Sequence, residues 1–184
     1  MTTDSDSAIP VDEPTEVRLA AAVTLWGEAE VATRAVALVG GYNAGDDFLL
    51  YVGGRHAQGI LDGAPVLYWP ELWGTRALLY VWDAAASDAV KAALANQAWR
   101  VREMATRVAA ARTLDVAPTL VGLLTDEVAR VRAASARALG AVGELAQVDD
   151  IRPLLKDPEI DVRRGAQQGI DALRTRFPEP PAAV

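Results

Sequence analysis

The sequence predicts an all-α protein, an α-solenoid of stacked helical hairpins with three clear repeats, a degenerate fourth and an irregular N-terminal helical cap. Two observations lead there. An apolar template recurs every 30 or 31 residues, and no period-2 strand pattern bounded by hairpin signals competes with it.

The template is anchored on Val101, Val131 and Val162. Seven residues before each anchor stands Leu94, Leu124 or Leu155, and eleven before stands Val90, Leu120 or Ile151. Five before comes a capping residue, Asn96, Asp126 or Asp157. One after is always Arg (Arg102, Arg132, Arg163), and four after is always small (Ala105, Ser135, Ala166). The offsets −11 and −7 differ by four, so both fall on one face of a first helix. The anchor Val belongs to a second helix whose inner stripe runs Val131, Ala134/Ser135, Ala138, Val142, and in the next copy Val162, Ala166, Ile170, Leu173. The acid at −5 falls in the turn, where a carboxylate accepts backbone N–H groups at a helix start. Such a hairpin cannot bury its apolar stripe alone and must stack on its neighbours.

This pattern, Asp-x₄-Val-Arg followed by small residues, resembles the HEAT-like repeats of phycobilisome lyases. It stands in full at Asp126…Val131-Arg132 and Asp157…Val162-Arg163, and with Asn for Asp at Asn96…Val101-Arg102. The resemblance covers about residues 87–176. It implies an Asp–Arg ladder inside the stack, which makes Asn96, Arg102, Asp126, Arg132, Asp157 and Arg163 structural residues. It also implies that the second helix of each hairpin lines the extended surface. Asp88, Lys91, Asp115, Thr119, Glu144, Gln147 and Arg152 are assigned to that surface here, giving it a mixed to mildly acidic character.

Upstream, Leu72 lies 29 residues before Val101, and Pro70-Glu71-Leu72-Trp73 opens a helix expected to continue through Ala77, Leu78 and Val81. Pro65, Leu67 and Trp73 occupy template positions that call for Leu, Asp and Arg, so this copy is degenerate. Two or three further helices are expected in 15–40 and 45–62, including 47–52 in preference to a strand. The chain thus divides into an acidic disordered tail (1–14), an aromatic-rich helical region (15–84), the repeats (85–177) and a Pro-rich tail (178–184).

Residues 1–16 hold five of the 25 acidic residues and no base, so the remaining 168 carry 20 acids against 18 bases. The formal charge of −7 therefore belongs largely to one end. No apolar run approaches the roughly 18 residues of a membrane span, and the acidic start is unlike a secretory signal, so a cytoplasmic location is expected. Without Cys there is no disulfide, thiolate metal site or Cys nucleophile. His56 is the only histidine, read as a half-exposed helix residue. The Gly40-Gly41 and Gly53-Gly54 pairs form no phosphate-binding motif. Asp46-Asp47 and Asp149-Asp150 fall at helix starts, where acids are favoured without any metal. No catalytic residue, cofactor or metal is expected.

Nine of the 11 aromatic residues lie between Tyr42 and Trp99. They read as core of a less regular region, or as a groove in which Tyr68, Trp69 and Trp73 form the leading contact patch. The expected function is a non-catalytic protein-interaction adaptor whose partner is a protein or peptide, with Asp88, Asp115, Glu144 and Arg152 as further contact residues. The alternatives are a HEAT-like enzyme acting on nucleic acid, such as a DNA glycosylase, and a chromophore-binding lyase-like protein. Nucleic acid is disfavoured because only Lys91, Arg152 and Lys156 are counted as positive on the surface helices.

Overall fold

A computed structural model describes residues 8–178, which contain eleven α-helices and one 3₁₀ helix. They form two compact units, one reaching Ala89 and the other starting at Val90, so that the division falls within α6 (Ala86–Ala93).

The first unit contains α1 (Thr15–Trp26), α2 (Glu28–Val39), α3 (Asp46–Gly53), α4 (Arg55–Leu61) and α5 (Trp69–Ala77). Residues 15–62 thus hold four helices rather than two or three, because Gly27 and Gly54, at φ 84° and 57°, break each expected helix in two. The last helix stops at Ala77, short of Val81, although Leu78 and Val81 are still buried. α5 packs on α2 and α3. Gly74 permits the closest approach, since a Cβ there would stand 2.7 Å from both the Ala35 carbonyl oxygen and Leu38 Cβ. Phe48, Tyr51, Val52 and Trp73 fill the centre.

Arg18 is buried without a carboxylate partner among the described residues. Its Nε donates to the Tyr51 carbonyl at 2.8 Å, and its Nη2 to the Val52 carbonyl at 3.2 Å and Thr15 Oγ1 at 3.1 Å. Arg76 Nη2 donates to the same Val52 carbonyl at 2.9 Å. Two guanidinium groups therefore satisfy the last carbonyls of α3, at the negative end of its dipole. Burial pushes both below the ordinary arginine value. Arg18 also holds the Glu13 carbonyl, and Asp12 pairs with Arg55. Residues 8–14 are thus tied to the unit where a disordered tail was expected, since two arginines give this polar stretch fixed partners. Residues 1–7 and 179–184 of the expected tails lie outside the described residues.

The second unit continues with α7 (Trp99–Ala111), α8 (Ala117–Leu123), α9 (Ala129–Val142), α10 (Gln147–Ile151), the 3₁₀ helix Arg152–Lys156 and α11 (Ile160–Arg176). α9 packs against α7, α8 and α11. Val101, Val131 and Val162 are fully buried, as are Ala105, Ser135 and Ala166. In the last copy the structure departs from the template, because Leu154 rather than Leu155 is buried. Pro153 cannot donate a helical hydrogen bond, and the segment tightens to three residues per turn. At that pitch the residue sharing a face with Ile151 is three positions on, not four.

Candidate functional site

Three turn residues cap in the same way. The side-chain oxygens of Asn96, Asp126 and Asp157 each accept the backbone N–H two residues on, at 2.8, 2.8 and 2.9 Å. Each lies three residues before its helix begins, so the bond closes an Asx turn leading into the helix rather than a cap on its first residue. Arg102 Nε and Nη2 grip Asp126 at 2.8 and 3.0 Å, while Nη1 donates to the Asn96 and Gln97 carbonyls, both at 2.9 Å. Arg132 repeats this with Asp157 and the Asp126 and Glu127 carbonyls. Arg163 donates to the Asp157 and Pro158 carbonyls at 2.7 and 2.9 Å, with no carboxylate partner among the described residues. Each acid receives the arginine of the preceding repeat. Among the described residues no arginine bonds to the side chain of Asn96, so the neutral amide serves there without a buried charge. These groups bond to one another and to the turns of the stack, and none of them lines the groove between α7 and α9.

The residues expected to contact a partner lie elsewhere. Asp88 stands on α6, Asp115 and Glu144 on the turns leading into α8 and α10, and Arg152 on the 3₁₀ helix. All four are exposed. They occupy the first helix of each hairpin or its approach, not the second helix to which the sequence reading assigned them. The reason is one of phase: each hairpin is built as a short first helix, the Asx turn, then the long helix carrying the anchor Val.

The second helices are α7, α9 and α11, and their outward residues are largely basic. Arg100, Arg107, Arg130, Arg137 and Arg164 are exposed, against exposed Asp161 and Asp171 and a half-buried Glu103. The expectation of no basic stripe is therefore corrected. Bonds across the helices show that these residues share a surface. Arg130 Nη2 meets Glu103 Oε1 at 3.2 Å, and Arg137 Nε donates to Gln168 Oε1 at 2.7 Å. The half-buried ring of Trp99 has the guanidinium of Arg100 over it at 4.3 Å and that of Arg130 at 5.5 Å. Between α7 and α9 runs a shallow groove of about 380 Å³, lined by Glu103, Thr106, Arg107, Ala110, Ala134, Arg137 and Ala138. Ala110, Ala134 and Ala138 leave it open because they are too short to fill it. Arg107 has no hydrogen-bond or ion-pair partner among the described residues.

In the first unit, Trp73 is 3% exposed and belongs to the core, which removes it as a contact residue. Gly53 gives way to it, since a Cβ at Gly53 would stand 2.5 Å from the indole. Tyr68 and Trp69 are half-buried, and Trp69 lies 4.3 Å from the His56 ring and 5.9 Å from that of Trp73. His56 is exposed and bound into this stack of rings. Among the described residues no three His, Asp or Glu side chains converge as a metal set, and no helix is long and apolar enough to cross a membrane.

Taken together, α7 to α11 define an all-helical repeat protein, in which hairpins joined by an arginine–aspartate ladder offer a row of long helices to solvent. Residues 86–171 match the family described as HEAT repeats, and this part of the chain is a HEAT-like repeat array. A comparison with curated proteins finds no match.

Proposed function

We propose that this protein is a non-catalytic binding module that captures an acidic segment of a partner protein along the outward ridge of α7, α9 and α11. HEAT repeats are commonly protein-interaction modules. The observation that carries the reading is the groove between α7 and α9, where, among the described residues, Arg107 stands unpaired and Arg137 is held only by a neutral amide. A carboxylate entering there gains two charge-assisted bonds and displaces no ion pair. Trp99 beside it, flanked by Arg100 and Arg130, is the residue type that anchors interfaces.

The test is capture of host proteins by the wild type and by Arg107→Glu/Arg137→Glu. A partner with an acidic segment should be retained by the first and lost by the second. Equal capture by both proteins would sink the reading. The same arginines favour a second reading, binding of nucleic acid. That reading requires complexes that fall steeply with salt and persist without protein partners.

A further inference from the structure

The first unit carries a second groove, unrelated to the repeats. It measures about 480 Å³ and is built by the end of α2, the start of α3, the end of α4 and the loop into α5. Leu38, Leu49 and Ile60 form its floor. Its rim is made of apolar side chains that stand in water: Tyr42 is 73% exposed, Leu67 68%, Val66 49% and Leu61 37%. Four large apolar residues around one depression are a patch rather than scattered exposure. Only two charged residues line it, Asp46 and Glu71, and both are acidic. Neither carboxylate has a hydrogen-bond or ion-pair partner among the described residues.

We infer that this groove docks a short segment of a partner protein carrying aliphatic side chains next to a lysine or arginine. The volume falls within the range of about 300–1,000 Å³ typical of ligand sites. The aliphatic side chains cover Leu38, Leu49 and Ile60, while the cation meets Asp46 and Glu71, which no basic group among the described residues neutralises. Tyr42 supplies a rigid, amphipathic contact at the rim. An acidic segment, the class assigned to the α7–α9–α11 ridge, would meet two carboxylates here, so the two grooves select opposite charge.

The experiment is selection of a random twelve-residue peptide library on the full chain, in parallel with Val66→Asp/Leu67→Asp. Both positions are exposed, and Asp tolerates the left-handed backbone of Leu67 (φ 49°) better than Leu does, so the variant keeps its fold. Tyr42→Ser, at the most exposed rim position, serves as an independent second variant. Peptides enriched on the wild type over the rim variants should combine aliphatic residues with Lys or Arg. They should bind at least tenfold more weakly to either rim variant, and severalfold more weakly to Asp46→Asn/Glu71→Gln. They should bind Arg107→Glu/Arg137→Glu as well as wild type, which separates this site from the ridge. No enrichment over the rim variants, or enrichment of acidic peptides that Arg107→Glu/Arg137→Glu binds as well as wild type, overturns the proposal. So does self-association of the wild type that the rim substitutions abolish, since the occupant would then be a second copy of the chain.

Discussion

Arg132 holds Asp157 through two parallel bonds, Nε to Oδ2 at 2.9 Å and Nη2 to Oδ1 at 3.1 Å. Its remaining nitrogen donates to the carbonyls of Asp126 at 2.8 Å and Glu127 at 3.2 Å. One guanidinium therefore joins the start of α9, the turn before it and the turn of the next repeat. The two side chains are 16% and 10% exposed, so water replaces little of what either loses on separation.

Arg132→Ala should destabilise the fold by on the order of 1–3 kcal/mol, because Asp157 and two carbonyls lose their donor together. A melting midpoint equal to wild type would show the pair to be a solvated surface contact.

The hydrogen bond from Arg132, reinforced by that from the Glu159 N–H, holds the Asp157 carboxyl below its usual value. A carboxyl depressed in the folded state adds stability that is complete above its unfolded value, pH ~4, and is lost as pH falls through the folded value. Denaturant titrations between pH 7 and 2 should show Arg132→Ala losing less stability on acidification than wild type. Parallel acid limbs would contradict this.

A Cβ on Gly165 would stand 2.7 Å from the Ala133 carbonyl oxygen, and one on Gly169 closer still to that of Ala136. Backbone cannot move aside as a flexible side chain can. Gly169→Ala should therefore cost about 1–3 kcal/mol through overpacking of α9 against α11. Gly122→Ala, in α8 with nothing within 4 Å of the new methyl, should instead gain up to about 1 kcal/mol from helix propensity. Urea midpoints moving in the same direction for both would refute the close-approach argument.

α2, α4 and α7 end alike. Gly41, Gly63 and Thr113 adopt φ of 77°, 105° and 52°, and the residue after each donates to a carbonyl five back. Thr is the costly choice among the three, since a β-branched residue is strained in the left-handed region. Thr113→Gly should raise stability by about 1 kcal/mol, net of the entropy glycine loses on folding. A lowered midpoint would mean that the threonine side chain contributes more than its strain costs.

Arg107→Glu/Arg137→Glu should leave the circular dichroism spectrum and melting midpoint within error of wild type, because neither arginine belongs to the ladder. The same protein should lose at least tenfold in affinity for an acidic partner segment. Lost helicity would show instead that these arginines support the stack.

The repeat spacing around Val101, Val131 and Val162 was enough, by itself, to define a helical hairpin fold and its inner stripe, because burying that stripe leaves few arrangements besides stacking. The turn acids and the arginine after each anchor were visible for the same reason, as they recur in register. Tertiary structure alone decided what local pattern does not encode. Pro153 rotated Leu154 inward in place of Leu155 by changing the helical pitch. Arg18 and Arg76 found the carbonyls at the end of α3, more than 20 residues away in sequence. The outward face of the long helices proved basic, because which helix of a hairpin carries a given residue depends on where the Asx turn falls. The rim of Tyr42, Leu61, Val66 and Leu67 has no periodicity at all. It exists only because three loops and helix ends converge, and proximity between distant segments is a property of the folded chain.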